Sequence, residues 1–489
     1  MTIQNKQELI NLLNRNNPWW AGRELHAEKY HRRDFHILKR IIRETKDIIA
    51  ITGPRQVGKT VLVKQLIKFL LNAAVIPKQI IYLTADDYAF LPVSRNPIQD
   101  SIEVYQEAIL GMQIQDVNGD VYLFIDEIQK IPKWNDVLKP LIDRYKGKIR
   151  IVITGSSSLD IYAGSHESLA GRIRFQLVLP LKFIDFIGIR KSKQNIEIEE
   201  LNILSRNLRA LFKKALETKD ASVFTSVLLQ NYAALDKEKP EIISFLNEYL
   251  IKGGYPEIVL TDKLEEAGAK LRTTLDLVVA SDIQRLFEVR GTFQMKQLLR
   301  ILSGQITKYL NVEQARTLIG VDEATVKRYL SHLQKVFLIH LSEEYSRNIL
   351  KKSRRQRKLY FQDLGLRNIL ADKFYKQALQ TDAGELAEMA AFEHALRLKF
   401  NLDPASSPIL NYWADKYRTK EVDIVLEHKG VAYPIEIKYR EQLRDVDFKG
   451  INGFVQEYKP PFSIMVTKDI INFRDNIIFI PLWMFLLLA

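Results

Sequence analysis

The sequence predicts an α/β protein in which a parallel sheet clad in helices is followed by a helical region and a second, smaller α/β region. Three observations predict it. Between Asp47 and about Phe186, short apolar runs alternate with helical patterns: DIIAIT at 47–52, IIYLT at 80–84, VYLFID at 121–126 and IRIVIT at 149–154. Near-continuous apolar strands separated by helices are the mark of a parallel sheet buried on both faces. Helical periodicity then dominates to about Glu344, and after the basic run KKSRRQRK at 351–358 strand and helix patterns mix.

The 489 residues allow about three domains at roughly 150 residues each. Residues 1–46 read as a helical segment with an aromatic knot at Pro18–Trp19–Trp20 and a basic cluster at His31–Arg32–Arg33. The first sheet domain takes residues 47–190; residues 191–240 are polar and charged, a helical insertion or linker. A helical domain at 241–350 and an α/β domain at 351–489 complete the division. Hydrophobic residues at 46% and charged residues at 27% are the balance of a globular chain rather than a disordered one.

Lys and Arg number 72 against 59 Asp and Glu, a net charge of +13 with a pI near 9.4. That excess favours an anionic partner, whether nucleic acid, nucleotide or acidic membrane surface. The absence of cysteine excludes disulfides, a thiolate nucleophile, cysteine zinc sites and iron–sulfur clusters. The opening MTIQNKQELINLLNRNNPWW lacks the basic-then-apolar run of a signal peptide. The most apolar stretch, Ile477 to Ala489, is broken by Pro481 and falls short of the roughly 20 residues a bilayer span needs. A buried strand or helix there, no membrane association and a cytoplasmic location are expected.

Gly53-Pro54-Arg55-Gln56-Val57-Gly58-Lys59-Thr60 fits G-x-x-x-x-G-K-[ST] at every fixed position. It follows the strand DIIAIT and opens the helical TVLVKQLIKFLL, the context that a phosphate loop requires. Gly53 and Gly58 let the backbone turn its N–H groups toward phosphate oxygens, and the helix N-terminus adds partial positive charge. Lys59 is expected at the β- and γ-phosphates of ATP and Thr60 on Mg²⁺. In VYLFIDEIQ, Asp126 and Glu127 leave the end of a buried strand. Asp126 suits Mg²⁺; Glu127 suits the general-base role toward attacking water. A third strand, IRIVITGSSS, ends in Thr154, Gly155 and Ser156–Ser158, where a polar residue can sense the γ-phosphate; Ser156 is the expected one. Hydrolysis, and not binding alone, is the reading these residues favour.

GPRQVGKT, FIDEIQ and ITGSSS together resemble the AAA+-type P-loop NTPases of a prokaryotic family that fuses the ATPase to a C-terminal region of unknown function. SLAGRIRFQLVLPLKFIDF is similar to that family's Gly-Arg step followed by a Pro-Leu-x-Phe turn, with Lys182 and Asp185 where Ser and Glu are more usual. YLIKGGYPEIV at 249–259 and DLGL at 363–366 continue the likeness. Arg172, in the Gly-Arg step, is either an arginine finger on nucleotide held by a neighbouring copy, which would make a homo-oligomer, or a surface ion-pair arginine. Arg174 competes for the same role.

In the middle, Asn311 to Ile319 reads as a short amphipathic helix closed by Gly320, and EATVKRYLSHLQKV as a second helix with Asp322 as its N-cap. Two helices joined by a tight glycine turn, followed by the strand-like FLIHLSEEY, give a winged-helix-like pattern. Thr325, Lys327, Arg328 and His332 lie on the polar side of the second helix, where they would reach DNA; docking of a protein partner is the alternative.

Farther on, Gly384-Glu385-Leu386-Ala387-Glu388 opens a helix, and VDIVLEHKG and VAYPIEIKYR form a hairpin around Lys429–Gly430. Period-two alternation puts Glu436 and Lys438 on one face, where Asp423 of the adjacent strand meets them. Two carboxylates to hold a divalent ion and a lysine to orient water resemble the restriction-endonuclease-like, PD-(D/E)XK fold. That resemblance implies Glu388 as a supporting metal ligand beside Asp423 and Glu436, and Lys438 as the catalytic lysine. The whole chain then reads as an ATPase whose nucleotide state controls a winged-helix and nuclease-like half acting on DNA. The competing class is a nucleotide-dependent interaction switch with an inert C-terminal domain.

Overall fold

The computed structural model describes the chain apart from residues 1–2, 86–95, 132, 146, 156–168, 170, 194–197, 285–291, 348–355 and 403–409, and the side chains at 3, 281 and 282. It forms two compact units, Met1–Leu179 and Pro180–Ala489.

The first unit is built on a sheet of five strands: β1 (Ile48–Thr52), β2 (Ile80–Thr84), β3 (Val121–Asp126), β4 (Ile149–Gly155) and β5 (Ile173–Leu177). Their order across the sheet is β2-β3-β4-β1-β5. Every neighbouring pair is parallel, as the four apolar runs predict. Ile48, Ala50, Ile81, Leu83, Leu123, Ile125, Ile151 and Ile153 share one core with Leu9 and Leu13 of α1 (Ile3–Asn16). The N-terminal segment is thus part of this unit's packing. Its aromatic knot covers the outer edge of the sheet. Strand β2 is an edge strand, and exposed edges invite foreign strands. Trp19 and Trp20 both donate indole N–H to Ile80 O (3.0 and 2.8 Å). Asn17 brackets Tyr82, donating to its carbonyl (3.0 Å) and accepting from its N–H (2.6 Å). Helix α2 (Arg33–Glu44) follows, and α3 (Lys59–Asn72) leaves the glycine loop after β1. Helices α4 (Pro97–Val104), continued by a π-helical turn at Tyr105–Leu110, and α5 (Trp134–Arg144) follow.

The second unit opens with α6 (Phe183–Ser192), α7 (Glu199–Thr218), α8 (Ser222–Ala234) and α9 (Lys239–Lys252). Its sheet has eight strands. Strands β6 (Ile339–Glu344) and β7 (Lys358–Phe361) are antiparallel, and β6 runs parallel to β8 (Asn411–Ala414). The division expected at residue 350 thus falls between two strands of one sheet. Strands β9 (Glu421–His428) and β10 (Val431–Lys438) form the expected hairpin, with Lys429 at φ 48° and Gly430 at φ 77° in its turn. Strands β11 (Ser463–Thr467), β12 (Asn472–Arg474) and β13 (Ile477–Pro481) make the far side, with β13 between the other two. The full order is β12-β13-β11-β10-β9-β8-β6-β7.

After β13 comes a short helix, Leu482–Leu486, so the apolar end of the chain is a strand and a helix, both buried as expected. The polar stretch at 191–240 is helical, and it covers this end rather than linking domains. Ser205 donates to Leu487 O (2.6 Å), Arg209 to Leu488 O (2.9 Å), and Tyr232 stacks on Trp483. Among the described residues, no helix is long and apolar enough to cross a membrane. The helix expected to open at Gly384 instead runs from Ala378 to Leu402. A helical glycine costs about 1 kcal/mol, but the extra turn ties the buried Asp382 to Arg367 (2.9 Å) and Lys373 (2.6 Å).

Candidate functional site

The first site lies where β1, β3 and β4 end side by side. Gly53 has φ 148°, and a Cβ there would sit 1.9 Å from Val178 O; Gln56 and Gly58 also have positive φ. Glycine at 53 is required by both backbone angle and space. Lys59 is buried, its Nζ donating across the loop to Gly53 O (3.1 Å) and Pro54 O (2.8 Å). Thr60 Oγ1 donates to Asp126 Oδ2 (2.7 Å), which also accepts from Tyr82 OH (3.0 Å). Burial, then the neighbouring Asp126 charge, push the Tyr82 phenol well above its ordinary range, so it stays a donor.

Thr154 joins the group by donating to Asp126 Oδ1, and its Oγ1 accepts from Glu127 N (3.0 Å). Glu127 has φ 54°, in the left-handed region, and its carboxylate accepts from Gln129. Thr154 therefore holds the place at the end of β4 where a polar residue is expected. Ser156, the one singled out by the sequence, lies outside the described residues. A threonine hydroxyl and an aspartate in direct hydrogen bond, beside a buried lysine in a glycine loop, fit Mg²⁺ and phosphate: Thr60 and Asp126 would hold the ion, Lys59 the phosphates.

Sequence reasoning missed the loop's anchor. Arg32 donates to Val57 O (3.1 Å) and Leu179 O (2.8 Å) and pairs with Asp34 (2.7 Å). Nothing in a run of three basic residues distinguishes the one that turns inward. Arg172 is not brought to this chain's phosphate loop. It precedes β5, at the end of the sheet opposite the loop, and pairs with Asp143 (2.6 Å) on the surface.

In the second unit, the two helices expected from the sequence are Val312–Ile319 and Glu323–Lys335, joined through Gly320 (φ 68°). Asp322 caps the second, accepting from Thr325 N (2.7 Å). Lys327 and Arg328 are exposed, with Lys327 paired to Glu323 (2.6 Å). His332 departs from expectation: it is buried rather than on the exposed side of the helix, and burial lowers its pKa to about 4.

The C-terminal carboxylates named in the sequence lie on β9, β10 and the long helix Ala378–Leu402, with one further charged neighbour. Asp423 and Glu436 are buried on β9 and β10, and Asp423 Oδ2 accepts from Ile437 N (2.9 Å). Lys438 pairs with Glu436. Glu388, on the long helix Ala378–Leu402, accepts from Tyr360 OH (2.9 Å). Burial, then the Asp423 charge, push the Glu388 carboxyl up to about 8, and the same two causes raise Glu436 well above the carboxylate range. The unforeseen member is Lys358 of β7, whose Nζ contacts Glu421 and lies 3.4 Å from Asp423 and 3.6 Å from Glu388. Burial opposes its charge, but Glu388, Tyr360, Asp423 and Glu421 together hold its pKa well above the ordinary value. A single charge heading an otherwise apolar strand, KLYF, was the available signal, obscured by the basic run before it.

Residues 45–187 match the family described as an AAA domain; residues 243–377 and 383–485 match two domains of unknown function, DUF8612 and DUF4143. The uncharacterized protein MJ1544 of Methanocaldococcus jannaschii is 23% identical over 454 residues, covering 89% of this chain and 87% of its own. An uncharacterized protein of Haemophilus influenzae is 23% identical over 331 residues, covering 66% and 69%. Among solved structures, the Walker-type ATPase of Pyrococcus abyssi is 15% identical with a TM-score of 0.39, over 71% of this chain and 99% of that one. Thermotoga maritima RuvB is 15% identical with a TM-score of 0.28, over 63% and 85%. The first unit is an AAA-type P-loop ATPase domain, by its matched family and by the glycine loop and carboxylates at the ends of its parallel strands. Such a fold binds nucleotide.

Proposed function

We propose that the chain is a Mg²⁺-dependent ATPase whose nucleotide state controls a winged-helix and nuclease-like C-terminal half acting on DNA. The observation that carries the ATPase reading is Asp126, which accepts from Thr60, Tyr82 and Thr154 together. Lys59 and the loop N–H groups would bind and orient the phosphates, and Thr60 and Asp126 would hold Mg²⁺, which supplies charge neutralisation there. Glu127 would take the proton from attacking water. Arg172 of a neighbouring copy in a homo-oligomer would stabilise the developing phosphate charge. The exposed Lys327 and Arg328 support DNA as the partner.

The test is ATP turnover with and without Mg²⁺ and DNA. Glu127→Gln should keep ATP binding and lower turnover by roughly 10²-fold or more. Unchanged turnover in that variant would remove Glu127 from the role. A second reading, an interaction switch whose C-terminal half docks a protein partner and performs no chemistry, is favoured by the position of Lys358 among the carboxylates.

A further inference from the structure

The nuclease-like reading expects a divalent ion at Glu388, Asp423 and Glu436, and the side chains do not fit one. Metal ligation at about 2.0–2.6 Å requires carboxylate lone pairs turned toward a common point. Here two of those oxygens already face an ammonium: Asp423 Oδ1 lies 3.4 Å and Glu388 Oε1 3.6 Å from Lys358 Nζ. Their remaining hydrogen bonds are internal as well. Ile437 N donates to Asp423 Oδ2 (2.9 Å), and Tyr360 OH donates to Glu388 Oε1 (2.9 Å). Glu421, beside them on β9, pairs with Lys358 and accepts from Tyr309 OH. Glu436 Oε1 is turned to Lys438 instead, which leaves Oε2 of that side chain as the one buried carboxylate oxygen without a hydrogen-bond partner among the described residues of the cluster. Among the described residues no group of three or more His, Asp or Glu is placed to hold a metal ion.

We propose that Lys358 is a built-in cation, its ammonium taking the place of a divalent ion in the C-terminal carboxylate cluster, so that this half works without metal as a binding scaffold. The cation also has a mechanical consequence. Lys358 and Tyr309 belong to one backbone pairing, with Leu310 N donating to Arg357 O (2.8 Å) and Leu359 N to Lys308 O (3.2 Å). Both side chains reach Glu421 of β9. The ammonium therefore ties the paired segments at 308–310 and 357–359 to β9 of the hairpin.

The proposal deepens the second reading of the C-terminal half and is independent of ATP turnover. Mn²⁺ binding to the nucleotide-free full chain, followed by electron paramagnetic resonance, tests it. Wild type and Asp423→Asn should take up the same amount of Mn²⁺. Lys358→Met should gain a Mn²⁺ site that the double variant Lys358→Met/Asp423→Asn lacks. Mn²⁺ uptake by wild type that Asp423→Asn abolishes overturns the proposal, as does a folded Lys358→Met with no added site. If Lys358→Met does not fold, the wild-type comparison decides together with Lys358→Arg, which should fold and gain no site. ATP turnover in the same preparations reports on the first unit separately, so failure of the ATPase reading leaves a different signature.

Discussion

Asp126 and Glu127 are adjacent in sequence yet serve different partners, and one backbone angle separates them. The left-handed φ of 54° at Glu127 costs on the order of 1 kcal/mol for a residue with a side chain. Its N–H donates to Thr154 Oγ1, which helps hold that conformation. Asp126 accepts from Thr60, and Glu127 accepts from Gln129. The loop and the acidic pair were legible because their spacing is local. Tyr82, Thr154 and Arg32 depend on which strands become neighbours, and a linear pattern does not state that. Asp363 shows the same limit in the second unit: its side chain accepts from Leu366 N (3.0 Å) and from Gly254 N (2.7 Å), 109 residues away. Burial pushes its carboxyl up to about 6 from an ordinary 3.8, against the main-chain donors that favour its charge. The folded chain thus holds this proton more tightly than the unfolded chain. The stability it contributes is complete below the unfolded value and is lost as pH rises through about 6. Urea midpoints of wild type and Asp363→Asn, compared between about pH 4 and 7, should show wild type losing ground as pH rises. A difference that stays flat would mean that Asp363 does not titrate in that window.

At the scale of elements, the strands were legible because buried parallel strands are apolar throughout, and the helices at 191–240 were legible as helices but not in what they pack against. An amphipathic helix whose apolar face meets a segment 282 residues later resembles a linker until that segment is placed, as Ser205 and Leu487 illustrate. Glycines divide along the same line. Gly384 reads as a helix start, yet a Cβ there meets nothing within 4 Å, on an open face of the long helix. Gly254 lies where a Cβ would be 2.2 Å from Leu181 O, beside the Leu181 N to Gly254 O bond of 2.6 Å. The same substitution should therefore act in opposite directions. Gly384→Ala should stabilise by about 0.5–1 kcal/mol through the unfolded chain's lost freedom. Gly254→Ala should destabilise by about 1–3 kcal/mol through overpacking. Thermal melts of the two variants check this, and equal shifts of one sign would contradict the stated cause.

For the whole molecule, the net charge of +13 sets the question of what the protein meets. Some of the positive charge is committed internally. Lys59 serves the glycine loop, Arg32 anchors it, and Lys358 and Lys438 face carboxylates. Those groups would release no counterions on meeting DNA. The solvent-exposed cations include Lys327, whose partner Glu323 lies on the same helix, and Arg328. Each phosphate neutralised by such a residue contributes about −0.9 to the slope of log affinity against log salt on duplex DNA. If DNA is the partner, affinity should fall steeply as salt is raised, and Lys327→Ala with Arg328→Ala should reduce the slope by about 2. If the same surface docks a protein, duplex binding should be weak at all salt concentrations, and the double variant should leave its slope unchanged. Binding isotherms of the full chain at several salt concentrations, with and without ATP, therefore test the DNA partner and its nucleotide control in one experiment. A slope that the two substitutions do not alter, with strong DNA binding retained, would move the interface away from the helix-turn-helix altogether.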